Sequence, residues 1–190
     1  MHARRSLAGA LASNMDRDAK MAIDGCRHSF EGLVGKVLPG HLKHLRLAMR
    51  SPWQAVNLAR PGVGPKTFAK SVGLENDLSG CYVFMRGARP IYVGISRSVL
   101  ARIRQHLRGR GHFDASLAYA MAQDKQPTPG RRSDAMKNER FRRAFRAAQR
   151  GLSRLNVAAV VIENPFELHV FEPYAAMKLK TSKWNTFRTH

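Results

Sequence analysis

The chain has 190 residues, 44% of them hydrophobic, enough for one domain of ordinary size with extensions or for two small ones, and this excludes wholesale disorder. Lys and Arg number 33 against 13 Asp and Glu, a net charge of +20, which concentrates a polyanion at the surface with strong salt dependence. Nucleic acid is the leading partner. A ribosomal-type RNA binder or a protein on an anionic membrane surface would carry the same charge, so charge alone chooses no mechanism. The two cysteines, Cys26 and Cys81, lie far apart without a partner spacing, which argues against a zinc site and a disulfide framework. A reducing, cytoplasmic compartment is expected. No apolar run approaches the roughly 18 residues of a membrane span, so no membrane partner is expected.

Residues 1–30 lack sustained periodicity and are expected to be poorly ordered. The arginines and short apolar patch before Met15 make a poor secretory signal; a frayed tail, or a start codon placed upstream of Met15 or Met21, is the preferred account. From His41 to Met49, Leu42, Leu45 and Met49 mark one face of a short helix. Ser51-Pro52 then reads as a cap and first turn, opening a second helix through Leu58. The stretch 59–70, ARPGVGPKTFAK, resembles the glycine-rich turn of a helix-hairpin-helix module, which binds DNA backbone. Arg60 stands there where an apolar residue is expected, and a plain turn between helices is the preferred reading.

After Gly73 a polar link leads into two short apolar runs, Gly80–Met85 and Pro90–Ile95, around a glycine-bearing turn at Arg86–Pro90. That is a hairpin signal. Val99, Leu100, Ile103 and Leu107 follow at helical spacing, placing Arg102 and His106 one turn apart on one face. Gly109–Gly111 and residues 124–130, DKQPTPG, are turn-rich punctuation. Between them, Ala115–Ala122 has room for one or two helical turns. A basic helix is predicted from Ser133, with Phe141, Phe145, Ala148, Leu152 and Leu155 as its apolar stripe. Lys137, Arg140, Arg142, Arg143, Arg146, Arg150 and Arg154 cover its other faces, a solvated surface or a set of phosphate contacts.

Asn156–Glu163 reads as a central strand, nearly all apolar. Asn164-Pro165 with Glu167 starts the last helix, whose inward residues are Leu168, Phe171, Ala175 and Leu179. Pro173 should kink or restart it. Glu172 sits at the edge of the inward stripe, an uncomfortable place for a lone carboxylate unless a cation compensates it.

Gly80-Cys81-Tyr82 followed by Tyr92-Val93-Gly94 resembles the paired signature of the GIY-YIG nuclease family. Arg102 and His106 on the following helix, then Glu172 and Asn185, continue the resemblance in order and spacing. It covers roughly Gly80 to Asn185. The resemblance implies an α/β fold, a small mixed three-stranded β-sheet flanked by helices, in residues 76–190. A helical N-terminal region (residues 1–75) would precede it, and residues 107–155 would form a basic helical insertion. It implies a divalent-metal-dependent endonuclease acting on nucleic acid, DNA first, with Mg²⁺ or Mn²⁺ on Glu172. Tyr82 is then the general base, its pKa lowered by the metal and Arg102. Tyr92 orients the attacking water, Arg102 clamps a phosphate, and His106 is an auxiliary base. Gly94, Arg97, Arg104 and Asn185 fall on the substrate side.

Two positions depart from the family pattern. Cys81 replaces an aliphatic residue, and Ile95 stands where a lysine is frequent, so Arg97 or Arg104 would have to supply that cation. Taken singly, each residue also has a plain explanation: a packed tyrosine, a solvated arginine, a surface histidine, an asparagine tying down the tail. Two other functions stay open, a non-catalytic basic nucleic-acid-binding protein on the same fold and an RNA-directed nuclease.

Overall fold

In the computed structural model, which describes residues 23–187, a 3₁₀ turn at Ile23–Gly25 precedes a helix capped by Ser29, whose hydroxyl accepts from Gly32 N–H at 3.1 Å. A turn at Phe30–Gly32 and a π-helical turn at Leu33–Val37 lead into α1, Leu38–Ala48. The helix thus begins well before His41, because Leu33 and Leu38 extend the buried stripe of Leu42 and Leu45. Against the poor order expected through residue 30, residues 23–30 form the 3₁₀ turn and the Ser29 cap, with Cys26 buried; the rest of that stretch lies outside the described residues.

The helix expected to open at Ser51-Pro52 is displaced. Trp53–Gln54 form a two-residue strand, β1, and the helix starts only afterwards as α2, Ala55–Ala59. The reason is a backbone partner elsewhere: Trp53 and Gln54 pair with Val157 and Asn156, and Ala55 N–H donates to Leu155 C=O at 2.9 Å. A turn over residues 60–64 joins α2 to α3, Pro65–Ser71, with proline at the first helical position, where its missing N–H costs nothing.

The hairpin consists of β2, Gly80–Arg86, and β3, Arg89–Ser96. Its turn is two residues long, Gly87-Ala88, with Gly87 at φ +60°; glycine first in a two-residue loop fits a type II′ hairpin. Arg86 and Met85 therefore pair with Arg89 and Pro90, and a bulge between Phe84 and Met85 leaves Ile91 unpaired. Pro90 is tolerated because β3 is an edge strand.

Helices α4 (Val99–Arg108) and α5 (Ser116–Lys125) follow. The basic stretch is two helices, α6 (Arg132–Lys137) and α7 (Glu139–Ser153). Asn138 divides them: its side chain accepts from Phe141 N–H at 3.2 Å and caps α7. The chain then forms β4, Asn156–Val161, and α8, Pro165–Lys178.

The sheet corrects the expectation of three mixed strands. It has four strands in the order β1-β4-β2-β3, and every neighbouring pair is antiparallel. β1 was invisible in the sequence because two residues show no period, and β4 runs against β2 rather than along it. β4 is nonetheless paired on both sides, as its apolar sequence suggested.

Each face of the sheet carries its own core. Tyr82, Phe84 and Val157 face α2–α7 and pack with Leu58, Phe68, Ile103, Phe141 and Phe145. Cys81, Val83, Met85, Val93 and Ala158 face α1 and α8, packing with Leu42, Leu45, Leu168, Phe171 and Ala175. Full burial of one such Phe or Leu contributes about 1.5–3 kcal/mol. Segments on both sides of residue 75 enter both cores, and α8 folds back against the hairpin, which brings Glu172 to it. Among the described residues no helix is long and apolar enough to cross a membrane.

Candidate active site

Two glycines of the hairpin are fixed by close approach. A Cβ on Gly80 would collide with the Val160 carbonyl of β4, so the strands can pair closely only without a side chain there. A Cβ on Gly94 would lie 2.5 Å from both Cζ and Oη of Tyr82, its cross-strand partner. The phenol thus crosses β3 through the gap that Gly94 leaves. Gly94→Ala should therefore destabilise the protein by about 1–3 kcal/mol, as overpacking does, read from urea unfolding. Much of that penalty should vanish in a Tyr82→Ala background; equal penalties in both backgrounds would show that the ring is not what Gly94 accommodates.

Tyr82, Tyr92 and His106 form an aromatic cluster with ring centroids 5.8–6.3 Å apart, backed by Phe84. The Tyr82 hydroxyl lies 2.8 Å from His106 Nε2. Tyr82 is 1% exposed, His106 is fully buried and Tyr92 is half-buried, so Tyr92 meets solvent first. Burial pushes the Tyr82 phenol well above the usual tyrosine range; Tyr92 and Glu172 add to this and Arg102 offsets only part. Arg102 by itself therefore does not bring the Tyr82 phenol down, because desolvation outweighs the guanidinium. Tyr92 is pushed up to about 12, first by burial and then by Glu172, with Arg102 and the Tyr82 hydroxyl pulling it back.

His106 is held down at about 3, by burial first and by Arg102 second, so it is a neutral buried imidazole rather than a surface histidine. With both groups neutral, the phenol has the proton to give and Nε2 accepts it. The imidazole proton then sits on Nδ1, which is buried without a partner, an arrangement that costs about 1–3 kcal/mol. Such orphan groups in a native interior call for a reason, and proton transfer is one.

Arg102 is held in place by three contacts, from α4, the loop after it and the first residue of α5. One terminal nitrogen donates to the Asp114 carbonyl at 2.8 Å and to Gln105 Oε1 at 3.1 Å, the other to Ser116 Oγ at 3.0 Å. Donors remain on the guanidinium for a phosphate oxygen. Glu172, on α8, acts electrostatically on Cys81, Tyr82 and Tyr92. Burial pushes its carboxyl up to about 7, and no hydrogen bond or ion pair compensates it among the described residues. Such a group fits a cation. Among the described residues no three His, Cys, Asp or Glu gather around a common point, so the carboxylate stands alone. One carboxylate with retained waters is the donor set Mg²⁺ accepts.

Tyr82, Tyr92 and His106 are thus in direct contact at the hairpin, and Arg102 and Glu172 stand close enough to act on them electrostatically. The other four positions have different tasks. Gly94 accommodates Tyr82. Arg104 Nε donates to the Val63 carbonyl at 3.0 Å, tying α4 to the α2–α3 turn. Asn185 gives both ends of its carboxamide to Val93, accepting from N–H at 2.9 Å and donating to C=O at 2.7 Å, so it pins the tail to the free edge of β3. Arg97 is exposed and lines a cavity of about 590 Å³ with Ser79, Glu163 and His169.

Three supporting residues were not read from the sequence. Asp77 caps α4 from the polar link, Oδ1 accepting from Leu78 and Leu100 N–H at 2.8 Å and Oδ2 from Ala101 N–H at 3.0 Å. Ser116 holds Arg102. Gln149 of α7 donates to the carbonyls of Gly109 (2.8 Å) and His106 (3.5 Å), fastening the end of α4. Only Asp77 left a local trace, an acid just ahead of the hairpin.

Compared with protein-family models, curated proteins and solved structures, the chain matches none.

Proposed function

We propose that the chain is a divalent-metal-dependent endonuclease of the GIY-YIG type, hydrolysing phosphodiester bonds of nucleic acid, with DNA as the first substrate. The observation that carries this reading is the joining of a tyrosine–imidazole pair, a preset arginine and an uncompensated half-buried carboxylate on a chain of net charge +20. Arg102 offers its free donors to the phosphoryl oxygens. Tyr92, at the surface, orients the attacking water. Tyr82 takes a proton from that water as it passes its own phenolic proton to His106 Nε2, so no tyrosinate forms beside Glu172. The hydroxide oxygen bonds to phosphorus, the bond to the leaving oxygen breaks, and solvent protonates that oxygen; His106 then returns its proton to Tyr82, which releases its own to solvent. Glu172 would hold Mg²⁺ or Mn²⁺, and the bound ion supplies Lewis acidity to the phosphoryl and leaving oxygens. The exposed arginines of α7 and its C-terminal cap, Arg140, Arg142, Arg143, Arg146, Arg150 and Arg154, suit contacts to backbone phosphates away from the bond being cut.

One observation favours a second reading, a non-catalytic nucleic-acid-binding protein: Tyr82 and His106 are both closed to solvent. A cleavage assay separates the two. Labelled duplex DNA, branched DNA and structured RNA are incubated with the full chain in Mg²⁺ and in chelator. Mg²⁺-dependent cutting of at least one is expected, and the preferred substrate distinguishes a DNA from an RNA enzyme. Tight, salt-sensitive binding with no cutting of any of them assigns the chain to the binding class.

A further inference from the structure

The tip of the hairpin carries a feature that the hydrolytic site does not use. Arg86 and Arg89 lie directly opposite each other across β2 and β3, and like charges so placed destabilise a sheet. Both are exposed, and neither has an ion-pair partner among the described residues. They line a cavity of about 290 Å³ together with Lys180, Lys183 and Trp184 from the segment after α8. Lys183 is the one cation of the four with a carboxylate, Asp124 at 3.2 Å, and its ammonium sits 4.6 Å over the Trp184 ring. That leaves three cations facing one small space.

The pocket is also held in shape. The segment that supplies Lys180 and Trp184 is fastened by Thr181 N–H to the Ala176 carbonyl at 3.0 Å, by Trp184 N–H to the Thr181 carbonyl at 3.2 Å and by Asn185 to Val93. Lys180 itself stands in the left-handed region at φ +56°, a conformation uncommon for a side chain of this kind. The backbone that carries these cations is fixed, while the side-chain donors of Arg86, Arg89 and Lys180 are exposed and open to a ligand.

We propose that this pocket holds a second backbone phosphate of the nucleic-acid strand cut at the tyrosine site. The proposal rests on the nucleic-acid reading above and deepens it. Pocket and site both lie along β3, on either side of the Asn185 contact with Val93. From Gly94 back to Pro90 the strand rises about 13 Å at roughly 3.3 Å per residue. A duplex strand rises about 3.4 Å per nucleotide along the axis and also winds round it at about 10 base pairs per turn, which sets successive phosphates roughly 6–7 Å apart, so the held phosphate lies about two nucleotides from the cleaved bond. A pocket of this position fixes where along a strand the cut falls without reading any base.

The test scans single neutral methylphosphonates along a 20-base-pair duplex, measuring affinity for the full chain in chelator by fluorescence anisotropy. A loss of about tenfold is expected at one position, about two nucleotides from the bond that the same chain cuts in Mg²⁺. The variant Arg86→Ala/Arg89→Ala/Lys180→Gln, all at exposed positions, should bind unmodified duplex about tenfold more weakly, lower the salt slope by about one, and lose the sensitivity at that position. Sensitivity that persists in the variant, or none anywhere outside the cleaved bond, overturns the proposal. In a second arm inorganic phosphate is titrated against Trp184 fluorescence in a Trp53→Phe background. Quenching that duplex fails to reverse gives the pocket to a free anion and likewise overturns it. A chain that shows the coupled, sensitive phosphate and cuts nothing sinks the nuclease reading while leaving the pocket in place.

Discussion

Tyr82→Phe is expected to lower Mg²⁺-supported cleavage by about 10²–10⁴-fold, the range for losing a proton-transfer group, with duplex affinity unchanged within about twofold. The ring still fills the space over Gly94 and packs against Phe84 and Tyr92, so only the hydroxyl is missing. His106→Gln should cost as much. Glutamine keeps an acceptor near the phenol but cannot take up its proton, so the variant separates holding the hydroxyl from accepting the proton. Because the two side chains act as one relay through a 2.8 Å hydrogen bond, the double variant should be no worse than either single one. Losses that multiply in the double variant would mean that the groups act independently, and the relay is then wrong. A Tyr82→Phe protein that still cuts at the wild-type rate transfers the base role to Tyr92 or to water alone.

The parts of this arrangement that showed in the sequence are those with short-range physical signatures. Tyr82 and Gly94 each stood in a recognisable strand, and their opposition follows from the hairpin register. Arg102 and His106 were one turn apart on an evident amphipathic helix. The start and inward stripe of α8 were readable from Asn164-Pro165 and from Leu168, Phe171 and Ala175, but its return to the hairpin was not. Features that depend on what packs behind a residue were not readable. His106 carries no mark that α7 and the sheet will enclose it, and with it the Tyr82 phenol, so both pKa directions were beyond a local reading. The pairing of Trp53 with Val157 joins residues about a hundred positions apart in two residues of strand, too little for any period. Asn138 inside a basic amphipathic pattern looks like one more polar surface residue until its side chain is seen capping α7. Asn185 was read as a substrate contact by resemblance, while its carboxamide is taken up by the Val93 backbone.

Glu172→Gln is expected to abolish divalent-supported cleavage, by at least about 10³-fold for a reaction that depends on Lewis-acid stabilisation, and to reshape the pH dependence of stability in metal-free buffer. Glu172 has its folded pKa raised, from an ordinary 4.5 to about 7. The fold prefers its protonated form, so its contribution is full below pH 4.5, declines as pH rises to 7, and is constant beyond. His106 has its folded pKa lowered, from 6.5 to about 3. Its contribution is full above pH 6.5 and is lost as pH falls towards 3. Each group titrating alone gives a slope of up to about 1.4 kcal/mol per pH unit, and between pH 4.5 and 6.5 the two slopes have opposite signs. The wild-type contribution from this pair should therefore be nearly level across that window and fall only in stronger acid. In Glu172→Gln the histidine slope stands uncovered, and stability should decline already from pH 6.5 downwards. At pH 8 the variant should exceed the wild type by roughly 1–2 kcal/mol, less than the full pKa shift implies because solvent still reaches part of the carboxylate. Urea midpoints across pH 4–8 measure both effects. Adding Mn²⁺ at pH 8 should then stabilise the wild type and leave Glu172→Gln where it was. Parallel pH curves for the two proteins would show that Glu172 does not hold its proton to about pH 7. An equal Mn²⁺ response in both would place any bound ion away from this residue and remove the carboxylate from the catalytic set.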